Sequence, residues 1–386
     1  MSAVPHPLTE LLRNEVAHRG PISFREFMAQ ALYHPQYGYY GSGRARIGRR
    51  GDFFTNVSVG SLFGTLLARQ FVEMWQRLEA PAEFTIVEQG GHYGEFAADA
   101  LNALREFAPA CFAATTYRLV EPLAALRARQ QETLAAFRVD WVESLAELPP
   151  FVGVHFSNEL LDAFPVHRVV WTSDRWMERV VDFQENRFVF VDAPLANAAL
   201  ASHLARLPAV PPGYETEVNL TAAGWLTALA AKLEAGFVLA IDYGYPRAEY
   251  YRPERTGGTL SASAGHRREP DPLARPGEID LTAHVDFTTL AETASVHGLD
   301  LAGFTDQHHF MVGLGGLHFH DDASVTTRTQ QEIRAFKTLM HPDLMGRSFK
   351  TICFAKRVRD SKLNGFHFAR NAAEALCGQG IVNLPG

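Results

Sequence analysis

The sequence predicts an α/β protein whose core is a sheet of parallel strands joined by helices, and three observations support this class. Residues 84–87 form a short apolar run that is typical of a buried parallel strand, and Glu88 and a glycine-rich turn follow it. Residues 95–104 then change to the spacing of a helix with one apolar face. A second strand at 117–120 ends in another acid, Glu121, about one helix and one strand further along the chain.

The turn after the first strand carries the features of a nucleotide-binding loop. Gly90, Gly91 and Gly94 allow a tight turn and close approach of a ligand to the backbone. The start of the following helix attracts an anionic group, and Glu88 can hold a cation or hydroxyl groups. The Gly-x-Gly-x-x-Gly pattern of dinucleotide sites is incomplete because His92 follows Gly91. The spacing favours S-adenosylmethionine (SAM), with a dinucleotide site or an empty glycine turn as alternatives.

Composition limits the class of protein further. The chain has 386 residues, of which 47% are hydrophobic and 20% charged, as in globular proteins of one large domain or two smaller ones. Its net charge of −7 argues against nucleic acid as a partner and favours a cationic one, such as a basic peptide. Its three cysteines lack the spacing of metal ligands, so we predict no bound metal and no disulfide framework. With no apolar run long enough to span a membrane and no signal segment, we expect a cytoplasmic protein without a membrane partner.

An N-terminal extension, residues 1–80, precedes the core. Its first part, 8–32, predicts two helices separated by a Gly-Pro break, and Ser23 begins the second helix as an N-cap. Glu26 stands three residues later and completes a capping box. The rest of the extension is predicted as an aromatic cluster at 33–40, a mobile basic loop at 41–51 and a helix at 62–75.

The first half of the core is predicted to span residues 81–165. Glu121 is placed to accept the ribose hydroxyl groups of a nucleoside. A third strand follows, in which Asp140 or Trp141 would border the adenine, the indole by stacking and the carboxylate by accepting from the amino group. A fourth strand at 152–156 leads to the carboxyl edge of the sheet, where ligands of such sheets bind. Three polar residues are therefore expected near the reactive part of the ligand: Asn158, Glu159 and Asp162.

The second half of the chain is predicted to contain an insertion before the core resumes. Its apolar-polar alternation indicates antiparallel strands, and a helix that ends at Gly236 follows them. The predicted segments are inserted strands and a helix at 166–235, the rest of the core at 236–357 with a structureless lid loop at 245–280, and a tail at 358–386.

Several strings in this order resemble the MidA-type family of class I SAM-dependent methyltransferases, whose mitochondrial members assist assembly of respiratory complex I. The resemblance covers roughly residues 8–357. It implies a seven-stranded Rossmann-like class I methyltransferase core with an N-terminal helical extension and inserted strands and lid. It also implies symmetric dimethylation of a protein arginine. The strings are His34-Pro-Gln-Tyr-Gly-Tyr-Tyr40, Gly51-Asp-Phe-Phe-Thr55, Ser61-Leu-Phe-Gly64, Ser157-Asn-Glu-Leu-Leu-Asp-Ala-Phe-Pro-Val-His167, Asp242-Tyr-Gly244, Gly258-Thr-Leu260 and Asp280-Leu-Thr-Ala-His-Val-Asp-Phe287.

The chain differs from the pattern of this family at three places. His92 stands where the family has a glycine of Glu-Leu-Gly-Pro-Gly-Arg-Gly. Asn56-Val57-Ser58 replaces Ala-Pro-Glu, and Ser261-Ala262-Ser263 lacks a tyrosine that follows Gly-Thr-Leu in the family.

Methylation of an arginine requires a carboxylate that holds the guanidinium group. Guanidinium is charged and a poor nucleophile, and a bidentate carboxylate would localise its charge and orient the other nitrogen. We predict that Glu159 is this clamp, with Asp162 or Asp286 assisting. The remaining predicted contacts are Asp52 and Thr55 with the cofactor, together with Glu88, Gly90, Gly94 and Asn158, and Tyr39 and His284 with the substrate or lid.

Two functions from different classes remain open at this point. The first is an active methyltransferase that modifies a protein arginine, on a respiratory-complex subunit for example, or a different or small-molecule acceptor. The second is a binding or assembly module that kept the fold and lost turnover. A dinucleotide enzyme is a third, less favoured alternative.

Overall fold

The computed structural model describes residues 6–43, 56–265, 267–320 and 330–377. Its α-helices are α1 Pro7–Arg19, α2 Phe24–Tyr33, α3 Leu62–Arg77, α4 Glu95–Phe107, α5 Pro109–Ala114, α6 Ala124–Thr133, α7 Ala198–Leu204, α8 Leu220–Lys232, α9 Arg247–Tyr250, α10 Phe287–Val296, α11 Gln307–His320, α12 Gln330–Met340 and α13 Ala372–Cys377. Its strands are β1 Ile22–Ser23, β2 Phe84–Gln89, β3 Thr115–Val120, β4 Val139–Val142, β5 Phe151–Asn158, β6 His167–Trp171, β7 Trp176–Gln184, β8 Arg187–Pro194, β9 Tyr214–Val218, β10 Leu233–Tyr245, β11 Ser261–Ala264, β12 Arg267–Arg268, β13 Asp280–Thr282, β14 Val285–Asp286, β15 Asp300–Asp306 and β16 Phe349–Lys356.

The central sheet follows the order β15-β16-β10-β5-β2-β3-β4. The strands from β10 to β4 are parallel, whereas β16 is antiparallel to both of its neighbours. The short strand β14 pairs with the end of β10 and makes the sheet eight-stranded. This arrangement confirms the predicted Rossmann-like α/β core with seven principal strands. It also brings the carboxyl ends of β2, β3, β5 and β10 to one edge of the sheet.

Apolar layers on both faces of this sheet hold the core together. Helices α3 and α4 pack on one face and α8 and α10 on the other, around strands that are buried on both sides. Among the described residues, no helix is both long and apolar enough to cross a bilayer.

A second sheet carries the predicted insertion. It is antiparallel, with the order β1-β7-β6-β9 and with β8 paired to β7, which confirms the inserted strands. The capping box of Ser23 and Glu26 is also confirmed, because each side chain accepts the backbone N–H of the other residue. Helices α1 and α2 share an apolar core with this sheet and with part of segment 245–280. The segment boundaries remain predictions, and packing contacts cross them.

Segment 245–280 is folded, so the expectation of a structureless lid loop is wrong. It contains α9, β11 and β12, and β11 pairs with β13 in a small antiparallel sheet. Tyr250, Tyr251, Ala262 and Leu273 are buried within it. These apolar residues are spaced irregularly among arginines and prolines, and therefore give no local periodicity.

Gly236 lies inside β10 and does not end α8, contrary to the sequence-based expectation. Helix α8 ends at Lys232, and β10 begins with the next residue. The φ angle of Gly236 is +134°, and a Cβ atom there would lie 1.8 Å from the carbonyl oxygen of Gly153 on β5. Glycine at this position therefore allows two core strands to approach each other.

We expect Gly236→Ala to lower the free energy of unfolding by at least about 2 kcal/mol, because its methyl group would overlap strand backbone. Gly224→Ala is the matched control, since nothing lies within 4 Å of that position on the exposed face of α8. The control should stabilise the protein by about 0.5–1 kcal/mol through helix propensity. Urea denaturation of the three proteins measures both effects, and equal stabilities would contradict the close strand approach.

Candidate functional site

The carboxyl ends of β2, β3 and β5 border a cleft with two adjoining compartments. The larger compartment has a volume of about 330 Å³ and includes Tyr33, Tyr40 and Glu121 in its wall. The smaller one has a volume of about 70 Å³ and is lined by residues that include Glu88, Glu95 and Asn158. Three residues line both compartments and therefore form their boundary: Gly90, His92 and Glu159.

The glycine turn at this boundary has left-handed backbone at three positions. The φ angles are +81° at Gly90, +41° at His92 and +82° at Gly94. Gly94 is the N-cap of α4, and a Cβ atom there would lie 3.1 Å from the side chain of Leu134. At His92 the left-handed conformation costs about 1–2 kcal/mol, because this residue carries a Cβ atom. The cleft nevertheless remains open beside the imidazole ring.

Glu88 is a buried acid in the wall of the smaller compartment. Its Oε2 atom accepts a hydrogen bond of 2.6 Å from the hydroxyl group of Tyr117. Burial raises its pKa to about 7, and the bond from Tyr117 partly opposes this shift. A cationic ligand would favour the charged form of this carboxylate.

Glu121 is the corresponding buried acid of the larger compartment. Its carboxylate accepts the backbone N–H of Leu123 at 2.9 Å and the Nε2 atom of Gln130 at 3.0 Å. Burial raises its pKa to about 7, and these two hydrogen bonds oppose the shift. Its position after β3 thus places an oriented acceptor group in the cleft.

The two residues predicted to border an adenine do not belong to the described lining of either compartment. Asp140 is exposed and forms an ion pair of 3.3 Å with Arg118. Trp141 packs against the core and donates its indole N–H to Gln130 at 3.0 Å. Gln130 is a buried residue at this site that sequence reasoning missed.

Glu159 occupies the boundary on a strained but anchored turn. Its φ angle is +53°, which is unusual for a residue with a Cβ atom. Its N–H donates to the carbonyl oxygen of Ile241 at 2.9 Å. The next two N–H groups, of Leu160 and Leu161, donate to the buried carboxylate of Asp242 at 3.1 and 2.7 Å. Strand β10 therefore holds the turn that presents Glu159.

A chain of three side-chain amides, two buried and one half-buried, ends at the carboxylate of Glu159. Gln307 donates to the carbonyl oxygen of Leu339 at 3.0 Å and to Asn56 at 2.8 Å. Asn56 donates to Asn158 at 2.8 Å, and Asn158 donates to Glu159 at 3.0 Å. Because a carbonyl oxygen can only accept, it sets the direction of the chain and leaves an N–H group facing Glu159.

The charge of Glu159 is held between opposing effects. Its pKa is raised to about 8, mainly by burial and in addition by the charge of the neighbouring Asp162. Hydrogen bonds from the Asn158 side chain and the Asn56 backbone lower it. In the absence of a cation, the neutral form of the Glu159 carboxyl group is therefore favoured at neutral pH.

Asp162 lies in a buried acidic cluster and not in the described lining of the cleft. Burial, followed by the charges of Asp242 and Asp280, raises its pKa well above the usual range. The Asp280 carboxylate accepts the hydroxyl group of Tyr40 at 2.8 Å. The structure thus brings Asp162 near Glu159 and favours its neutral form.

Two tyrosines, Tyr33 and Tyr40, lie in the wall of the larger compartment, and their stacked ring centroids are 5.6 Å apart. Tyr39, the predicted substrate contact, is instead buried in the core formed by the N-terminal helices. Sequence pattern identified the aromatic cluster but could not show which ring faces the cleft.

His284 and Asp286 line a different and much smaller cavity. His284 stacks on Tyr243 with a ring-centroid distance of 6.1 Å. Asp286 is the N-cap of α10 and accepts the N–H groups of Thr288 and Thr289 at 3.0 and 3.1 Å. Neither residue is brought together with Glu159 in the cleft lining. The predicted contacts Asp52 and Thr55 lie outside the described residues.

Three comparisons with known proteins agree with this geometry. Residues 66–305 match the family model "Putative S-adenosyl-L-methionine-dependent methyltransferase". The chain is 28% identical to "Protein arginine methyltransferase NDUFAF7 homolog, mitochondrial" of Drosophila melanogaster, over 93% of this chain and 87% of that protein. It is 26% identical to "Protein arginine methyltransferase NDUFAF7, mitochondrial" of Homo sapiens, over 96% of this chain and 88% of that protein.

A solved structure is similar over almost the whole length of both chains. It is a COG1565 superfamily member from Burkholderia thailandensis bound to S-adenosyl-homocysteine, with 34% identity and a TM-score of 0.81. The match covers 96% of this chain and 98% of the other. Since the family model also spans well over half of the sequence, the chain belongs to the MidA-type family of SAM-dependent methyltransferases.

Proposed function

We propose that the protein transfers the methyl group of SAM to a guanidinium nitrogen of an arginine side chain in a protein substrate. The position of Glu159 carries this proposal, because its half-buried carboxylate stands where the two compartments of the cleft meet. The relatives named protein arginine methyltransferases support it further.

The residues of the cleft fit the charges of SAM. Glu88 would hold the ammonium group, and the N-terminus of α4 after Gly94 would face the carboxylate. Glu121 would accept the ribose hydroxyl groups in the larger compartment. This assignment leaves Glu159, the boundary residue, beside the junction of the nucleoside and amino-acid parts. Gly90 and Asn158 also lie in the wall there.

Methyl transfer to a guanidinium nitrogen requires the protein to orient a weak nucleophile. SAM supplies the methyl group, which leaves a neutral thioether, S-adenosylhomocysteine, when the N–C bond forms and the C–S bond breaks. Glu159 would grip the guanidinium group, localise its charge on one side and orient the opposite nitrogen. The guanidinium charge would in turn favour the ionised form of Glu159. Alignment of the reacting atoms supplies much of the rate, and the nitrogen then releases its proton to solvent.

The wall of the larger compartment suits a cationic side chain. The rings of Tyr33 and Tyr40 offer aromatic faces near the carboxylates of Glu159 and Asp280. The net charge of −7 attracts a basic protein segment. The family resemblance suggests a subunit of a respiratory complex as the specific protein substrate. Because the named relatives are mitochondrial, the cytoplasmic location stays a prediction.

We expect Glu159→Gln to reduce methyl transfer by about 100-fold or more, because glutamine cannot pair its charge with guanidinium. The measurement uses deuterium-labelled SAM with arginine-containing peptides and extracted host proteins, and mass spectrometry locates the label. Glu132→Gln is the control, since Glu132 is exposed on α6 and pairs only with Arg129 among the ion pairs of the described residues.

Two results of that experiment would contradict the proposal. Normal turnover by Glu159→Gln would exclude the clamp. If the wild-type protein binds S-adenosylhomocysteine but labels no arginine, a protein arginine is not the methyl acceptor. That result would favour a small-molecule acceptor or an inactive assembly module.

We also expect Glu159→Gln to be more stable than the wild type at pH 8. The pKa of Glu159 is about 8 in the folded protein, against an ordinary value of 4.5. Between these values the folded state retains a proton that the unfolded state has released, so wild-type stability falls as pH rises. Glutamine removes this penalty. Thermal unfolding at pH 5 and pH 8 measures the difference, which should shrink at pH 5; a constant difference would refute the burial argument.

A further inference from the structure

Gln130 is the polar residue on the buried face of α6, and its side chain contacts three parts of the cofactor site. It is 0% exposed and lies behind the cleft. Its Nε2 atom donates to the carbonyl oxygen of His92 at 2.9 Å and to the carboxylate of Glu121 at 3.0 Å. Its Oε1 atom accepts the indole N–H of Trp141 at 3.0 Å. One side chain thus joins the glycine turn, the acid after β3 and strand β4.

The chemistry of the three partners determines the orientation of this amide. The indole N–H of Trp141 can only donate, so it requires the oxygen atom of Gln130. The carbonyl oxygen of His92 can only accept, so it requires the NH₂ group. The flipped amide would lose these hydrogen bonds, and the observed orientation therefore follows from the partners alone.

We propose that Gln130 is a positioning residue for SAM, which it serves by holding the glycine turn and the carboxylate of Glu121 in their binding geometry. The inference rests on the placement of SAM given above and does not depend on the identity of the methyl acceptor. Gln130 does not line the cleft among the described residues, so it acts through its partners.

The bond to His92 concerns the position where this chain departs from its family pattern. A residue with a Cβ atom is strained at a φ angle of +41°, whereas glycine is not. The hydrogen bond from Gln130 holds the carbonyl oxygen of this residue in place. Close packing supports the same turn, because α6 passes so near to Gly94 that a Cβ there would lie 3.5 Å from the Cα of Gln130. Gln130 thus offsets part of the strain at His92.

The bond to Glu121 favours the ionised form of the carboxylate that would accept the ribose hydroxyl groups. Burial opposes that form, and the donors from Leu123 and Gln130 support it. Other titratable or charged groups also face this carboxylate. Arg127 donates a hydrogen bond of 3.2 Å to the backbone carbonyl oxygen of Glu121. Tyr33, His92 and Glu159 line the same compartment as the Glu121 carboxylate. Loss of the Gln130 donor should therefore raise the pKa of Glu121.

Binding of S-adenosylhomocysteine, measured by calorimetry from pH 6 to pH 9, tests the proposal without requiring methyl transfer. Gln130→Met keeps the unbranched shape and removes the hydrogen bonds, so we expect roughly tenfold weaker binding near pH 7. The pH below which affinity falls should also move upward. Gln131→Met is the matched control, because Gln131 is exposed on the same helix. The double variant with His92→Gly should recover part of the affinity that Gln130→Met loses.

If the wild-type protein binds S-adenosylhomocysteine and Gln130→Met binds it with the same affinity, the inference is wrong. The proposed function would not be affected by that result. An equal loss at every pH without rescue by His92→Gly would also overturn it, since that result indicates packing alone. If Gln130→Met does not fold, Gln130→Glu provides the test. Its second carboxylate beside Glu121 should weaken binding increasingly as pH rises, and a flat profile would refute the positioning role.

Discussion

The desolvation of carboxylates at one edge of the central sheet is the constraint on which the rest of the site depends. Parallel strands bring Glu88, Glu121 and Glu159 together there, with Asp162 and Asp242 behind them. Burial raises the pKa of each of these groups. Such a cluster destabilises the empty protein and stabilises a bound cation. A site for a cationic cofactor and a cationic acceptor therefore trades folding stability for binding.

Neutral donors make this concentration of acids compatible with a folded core. Three acids of the cleft wall each accept at least one hydrogen bond from an uncharged group: a phenol at Glu88, an N–H and an amide at Glu121, and an amide at Glu159. The buried carboxylate of Asp242 accepts two backbone N–H groups of the turn that carries Glu159, and these hydrogen bonds stabilise the turn. Uncharged donors fit this task because they satisfy the carboxylates without occupying the place of the cationic ligand.

Local patterns were sufficient to predict the first four strands of the core, β2 to β5, the glycine turn, the capping box at Ser23 and the acids that follow β2, β3 and β5. Features that depend on distant contacts were not predictable in this way. Gln130 and Gln307 are common residue types in ordinary helices, and only their partners across the fold distinguish them. Asp286 did carry a local signal, since the residue before a helix is often an acid that caps it, and its observed contacts are those of an N-cap. The packing of segment 245–280 depends on helices at the other end of the chain.

Two departures from the family pattern are each accompanied by a compensating contact in this chain. His92 takes a left-handed backbone, and Gln130 holds its carbonyl oxygen. Asn56 replaces an alanine of the family pattern, and it bonds the buried Gln307 and the half-buried Asn158. Buried amides are costly unless their hydrogen bonds are satisfied, and these contacts satisfy them. Both departures are therefore accommodated by hydrogen bonds in this chain, and the cleft beside them keeps a volume of about 330 Å³ in its larger compartment, which is compatible with cofactor binding.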